Sequence, residues 1–259
     1  MSIEALPFVN WIFWAALTSG TLLVVGATEL LGGTTRGYRL FMAWLLLAFA
    51  AVLLLSELNL PPGTVADETA DLRRTLVWAF SAVTLAYLVA SMLKLPRSGL
   101  ALLAGLLGVA SLATLAAAGG SLSAPLFAGQ LVLAALALGA VNAAMLLGHW
   151  YLVTPKLSPT PLVRMMWLLI GVLVLQLLAF GLAVATVSSG PLGGPMGWLT
   201  WLRLAVGIVL PIGITVLAML ASRAASLQAS TGLLYIGLAL VMAGSIAGAS
   251  ITYLTGVPV

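Results

Sequence analysis

Cysteine is absent from the 259 residues, so disulfides, thiolate zinc sites and iron–sulfur clusters have no ligands in this chain. Charge is scarce too: 6% of residues are Asp, Glu, Lys or Arg, against roughly 25% in a soluble domain. Histidine occurs once, at His149. A low-spin haem b usually takes two histidines, which disfavours a haem b held by this chain alone; a His/Met pair drawn on the nine methionines is the remaining arrangement. No metal site is expected. The formal net charge of +4 comes from basic residues that stand singly or in pairs. They form no stripe that could follow a phosphate backbone, so nucleic acid is excluded as a partner. There is no Ser-His-Asp set, HExxH, Walker A loop, glycine-rich nucleotide fingerprint, arginine ladder or potassium filter. These absences argue against a self-contained hydrolase or ATPase. The opening MSIEALPF has no basic n-region and no small-residue cleavage site, and is read as no removable signal peptide.

What the chain has is grease: 63% of its residues are apolar. A soluble fold of this size could not hide that surface, so the expected solvent is lipid. Apolar runs long enough to cross roughly 30 Å of hydrocarbon recur about eight times. They fall at about 8–31, 38–58, 75–95, 99–118, 125–153, 161–187, 197–221 and 230–254. Gly32-Gly33, Pro61-Pro62-Gly63, Pro96, Gly119-Gly120 and Pro155 punctuate them, and Pro211 lies inside the seventh. The expected fold is an all-α polytopic membrane helix bundle, with residues 1–259 as a single transmembrane domain. The connections leave no room for a soluble domain, and no repeat stands out as an inverted-repeat transporter.

Basic residues set the expected orientation. With the N-terminus outside, Arg36, Arg39, Lys94, Arg97, Lys156, Arg164 and Arg223 face inward, and Arg73, Arg74 and Arg203 face outward. Both termini then lie on the outer, periplasmic side of a bacterial cytoplasmic membrane. Trp11, Trp14, Trp198 and Trp201 are expected as interfacial anchors. Small residues should hold the helices together. The last span carries Gly244 and Gly248 as a GxxxG pair, serving either packing within the chain or contact with another subunit.

Polar groups at membrane depth each need a partner or a task. Thr18, Thr21, Thr28, Glu29 and Gly32 share one arc of the first span. Glu29 is a candidate proton-handling or ligand-binding carboxylate, or a partner for Arg36 or Arg39. His149 shares a face with Asn142, with Met145 between them, and is followed by Tyr151. An imidazole there can donate to a quinone carbonyl or pass a proton, or be structural. Arg203 precedes Gly207 and Pro211 at steps of four. It is a candidate partner for Glu57, a holder of a lipid or polar head group, or a residue snorkelling outward. Gln176 is read as interhelical glue.

Eight helices with tiny loops and a polar cluster on each membrane face resemble the NrfD-like anchor subunits of DMSO and polysulfide reductase-type complexes. Leu6-Pro7-Phe8, Gly20-Thr21-Leu22, Trp201-Leu202-Arg203-Leu204, Leu238 to Gly244 and Tyr253-Leu254-Thr255-Gly256 carry the likeness. Ser245 and Ala249 stand where members often have a glutamate and an arginine. The resemblance implies a membrane subunit that binds quinol and passes electrons to a partner's carrier. His149 or Glu29 would then be the acid/base group. Asn142, Tyr151 and Arg203 would be further quinone-positioning residues, and other membrane and soluble redox subunits would be partners. Two other functions stay open: a scaffold holding lipids, pigments or subunits, and a small-solute or ion transporter.

Overall fold

The computed structural model describes residues 6–61, 67–118, 124–154, 157–186, 193 and 197–255. Among them the chain is all-helical, and eight helices are long and apolar enough to cross a membrane. They are α1 (Leu6–Leu31), α2 (Arg36–Leu58), α3 (Ala70–Met92), α4 (Ser98–Ala118), α5 (Ala124–Val153), α6 (Thr160–Thr186), α7 (Gly197–Arg223) and α8 (Leu227–Thr255). The expected stops at Pro62-Gly63, Gly119-Gly120 and Pro155 lie outside the described residues. The largest difference from expectation is α3, which starts at Ala70 rather than near Thr75. The helix extends past its charged first turn because Arg73 is buried against Glu57 instead of lying in a loop.

The helices form two successive rings of four. In the first, α1 packs on α2, α2 on α3, α3 on α4, and α4 returns to α1. In the second, α5 packs on α6, α6 on α7, α7 on α8, and α8 returns to α5. The seam between the rings is chiefly α1 against α5. The seam is built on close backbone approach at small residues, the packing mode that helices use where hydrophobic association gives little drive. A Cβ at Gly20 would strike the backbone carbonyl of Ala135, and one at Gly139 would strike the backbone of Gly20 and Thr21. On the other side of α1, a Cβ at Gly108 of α4 would come within 2.6 Å of the Ser19 Cβ. Outward-facing side chains such as Leu55, Leu106, Leu178, Trp198 and Trp201 are apolar and exposed, an outer surface of the composition that suits hydrocarbon.

This packing settles the polar arc of α1. Thr18, Thr21 and Thr28 are buried, and each hydroxyl donates to the carbonyl four residues earlier. Thr21 also accepts from the Asn142 amide across the seam, at 3.2 Å. Trp11 departs from its expected interfacial place: it is fully buried under Arg73, while Trp198 and Trp201 are exposed. Gly244 packs on Gly207 of the same chain, so its close contact is intramolecular.

Helix α7 is α-helical to Leu204, makes a π-turn over Ala205–Val209 and resumes at Leu210. Pro211 has no N–H to give to the carbonyl of Gly207. The widened turn is the local answer, with Leu210 N–H reaching back to the Ala205 carbonyl.

Candidate functional site

Residues that touch across the bundle define its two ends. Glu29, Tyr87, Arg97, His149 and Tyr235 lie toward the end with the α1–α2 turn. Glu57, Arg73, Trp11 and the ring pair Phe8–Tyr253 lie toward the end with the chain termini.

At the turn end, Glu29 Oε1 accepts from the Tyr87 hydroxyl at 2.9 Å, and Arg97 Nε stands 3.1 Å from Oε2. The partner is thus Arg97 of the α3–α4 connection, not Arg36 or Arg39; Arg39 donates to the Thr34 carbonyl at 2.9 Å. The carboxylate meets Tyr87 of α3 on one oxygen and Arg97 of the α3–α4 connection on the other. That arrangement fits an interhelical clamp, and it does not bring Glu29 to His149.

His149 lies on α5 near its C-terminal end, where its side chain is exposed. Its Nδ1 is 3.2 Å from the Tyr235 hydroxyl of α8, with the two rings edge-on. Asn142 and Met145, on the same helical face, are buried. The difference is in the neighbours: Asn142 meets α1 at Thr21, whereas His149 meets only the first turns of α8. Tyr151 is two residues on, so it points to the opposite side of α5, where its ring is buried. The expected group of Asn142, His149 and Tyr151 is therefore not brought together. With the tyrosine hydroxyl donating to Nδ1, the neutral imidazole carries its proton on Nε2, the atom left free to donate to an incoming acceptor.

At the termini end, the first ring closes on a charge pair. Glu57 and Arg73 are both buried, with Arg73 Nε at 3.1 and 3.3 Å from the two carboxylate oxygens and its guanidinium 5.6 Å from the Trp11 ring centre. Arg203 is therefore not the partner of Glu57. The α2 carboxylate takes the arginine of the helix that follows it in the same ring. Arg203 does not snorkel outward either: it is 2% exposed. Gln176 of α6, with its amide oxygen turned toward the guanidinium, accepts from Arg203 Nη2 at 3.0 Å and from the Ala134 N–H of α5 at 3.2 Å. Gln176 is the expected interhelical glue. Arg203 Nε and Nη1 have no hydrogen-bond partner. Among the described residues, Glu29 and Glu57 belong to other arginines, and Glu68 and Asp71 are exposed.

Arg203 borders a narrow, partly open cleft between α1, α5, α7 and α8. Phe13, Phe127, Leu131 and Leu138 give it an apolar wall; Gln130, Ser245 and Thr252 are the polar lining residues besides Arg203. The Ser245 hydroxyl is buried and has no partner. A lone cation at membrane depth costs about 2.5–3.5 kcal/mol on insertion scales. This arrangement can hold an acceptor or an anion. Among the described residues no three His, Asp or Glu side chains converge on one point.

Sequence reasoning singled out Arg203 and His149 but missed Tyr235, Arg97, Ser245 and Gln130. Tyr235 had one usable signal: it is a polar aromatic one turn past Thr231, the residue that Gly148 packs against. Compared with known proteins, the chain matches no protein family, no curated protein and no solved structure.

Proposed function

We propose that the protein is the quinone-interacting membrane subunit of a bacterial electron-transfer complex, with His149 and Tyr235 as its quinone contact. The observation that carries this reading is the His149–Tyr235 pair: an exposed imidazole, held through Nδ1, on an apolar surface. Quinones travel in the lipid, and Leu152, Val153 and Ile236 near the pair are exposed to it. Nε2–H donates to the quinone carbonyl, and the tyrosine fixes the tautomer that makes this donation available. In quinol oxidation the pair works in the other neutral tautomer: Nδ1–H donates to the Tyr235 oxygen, Nε2 accepts one hydroxyl proton, the second proton leaves to water, and the two electrons pass to a carrier in a partner subunit, since this chain has no cysteine to hold a cluster. The positive-inside rule, applied to the basic residues near the turn end, supports a cytoplasmic side for that end and for His149 in this reading. Both termini then lie on the periplasmic side. Glu29 and Arg203 take no part in this contact.

The test is binding of a photoreactive ubiquinone or menaquinone analogue to the protein purified with its native lipids. Labelling is expected near His149 on α5 and Tyr235 on α8. His149→Ala should weaken binding about tenfold, the loss of one good hydrogen bond, and Tyr235→Phe by less. Equal labelling of wild type and His149→Ala would remove the reading.

A further inference from the structure

We propose that the Arg203 cleft is a binding site for an acidic amphiphile, with a phosphate or carboxylate head on the guanidinium and an acyl tail along the apolar wall. The site is separate from the His149 contact and stands whether or not that reading holds.

Three observations carry it. First, Arg203 is buried while two of its nitrogens have no partner, so Gln176 satisfies only one of the three. Second, the cleft sets the partnerless Ser245 hydroxyl beside the cation, so a head with more than one oxygen has two kinds of donor to meet. Third, apart from Gln130 and Thr252 the rest of the lining is apolar, with Phe13, Phe127 and Leu131 forming a wall that suits a hydrocarbon chain and not a hydrated ion. An inorganic anion would meet the cation and lose its water against that wall. An amphiphile satisfies both parts.

The first ring supplies the control. There Glu57 gives Arg73 its counter-charge from within the chain. The corresponding acceptor on Arg203 is neutral Gln176. Gln176→Glu should therefore neutralise Arg203 from inside and expel the ligand without emptying the helix interface.

The experiment is native mass spectrometry of the full chain, delipidated in detergent and titrated with phosphatidylglycerol, oleate or phosphatidylcholine. Wild type should bind one acidic amphiphile at least about tenfold more tightly than phosphatidylcholine, the difference one satisfied charge contact makes. Preference for phosphatidylglycerol identifies a phospholipid head, and preference for oleate a fatty-acid carboxylate; either supports the site. Gln176→Glu and Arg203→Gln should each abolish the preference, and lipid-free Gln176→Glu should melt at or above the wild-type temperature. Equal binding of acidic and zwitterionic lipid by wild type would overturn the proposal. So would an unchanged preference in a folded Gln176→Glu protein. Should Arg203→Gln fail to fold, the Gln176→Glu result decides alone.

Discussion

The two rings of four helices solve the same problem in different ways. Each buries an arginine from its third helix against an acceptor from its second. In the first ring the acceptor is the Glu57 carboxylate, and the Trp11 face covers the guanidinium of Arg73. In the second it is the Gln176 amide, and the guanidinium of Arg203 faces a cleft. The first arrangement is closed: its charges cancel and its hydrogen bonds point inward. The second has one positive charge with no negative partner among the described residues. The closed pair acts as a fastener, while the open one is placed to take something from outside the chain. Backbone design differs in step. The first ring has a regular third helix, whereas α7 carries a π-turn directly after Arg203, the kind of local widening often found at functional sites.

The most damaging change should be at the seam that joins the rings. Gly139→Val places a branched side chain on the backbone of Gly20 and Thr21, where no rotamer can relieve the collision. The expected cost is about 3 kcal/mol or more, the upper end of overpacking. It is read as loss of monodisperse protein after detergent extraction. Gly171→Val, on a face with open space around it, is the control and should extract normally. Similar yields for the two variants would show that the seam is not as tight as the Gly20–Gly139 approach implies.

Next in size is the closed pair. Glu57→Gln leaves Arg73 buried with its charge uncompensated and should destabilise the fold by about 3–5 kcal/mol. A double change, Glu57→Gln with Arg73→Met, removes both charges and should recover most of that loss. Thermal unfolding in detergent reads both. In contrast, Arg203→Gln in lipid-free protein should cost nothing measurable or raise the midpoint, because it removes a cation with no carboxylate to lose. If the two arginines responded alike, the distinction between a closed and an open ring would fail.

How far this contrast could be seen from sequence depends on what kind of information each part needs. The spans were legible because length and composition decide whether a stretch can sit in hydrocarbon, and both are local properties. Pro211 announced an irregular seventh helix for the same reason, although the π-turn falls on the residues before it. Partners were not legible. Glu57 and Arg73 are separated by a turn and 16 positions, Asn142 and Thr21 by 121, and His149 and Tyr235 by 86. Helical phase says which face a residue occupies, not which helix covers that face. That is why Asn142 and His149, seven residues apart on one face, ended in different surroundings. It is also why Trp11, placed by its position near a helix end, proved to be packing under an arginine. Glu29 shows the limit most plainly: an arginine partner was one of its two readings, and the arginines named for it were Arg36 and Arg39, not Arg97.

The smallest effect should come from Glu29 itself, and it sharpens the comparison by adding a third ion pair. Its arginine, Arg97, has 15% of its side-chain surface exposed, against 4% for Arg73. Arg97 also stands just before α4, on a connection where a long side chain can turn toward water or lipid head groups. Removing the carboxylate therefore need not strand a charge. Glu29→Gln keeps an acceptor for the Tyr87 hydroxyl and should cost about 1–2 kcal/mol, the loss of one hydrogen bond to a charged group whose cation can turn outward. Measured beside Glu57→Gln under the same conditions, it should lower the unfolding midpoint by clearly less than that variant does. A loss as large as that of Glu57→Gln would mean that Arg97 cannot leave its place. The turn end would then be fastened as firmly as the termini end, and burial of the cation would no longer explain which of these pairs the fold depends on.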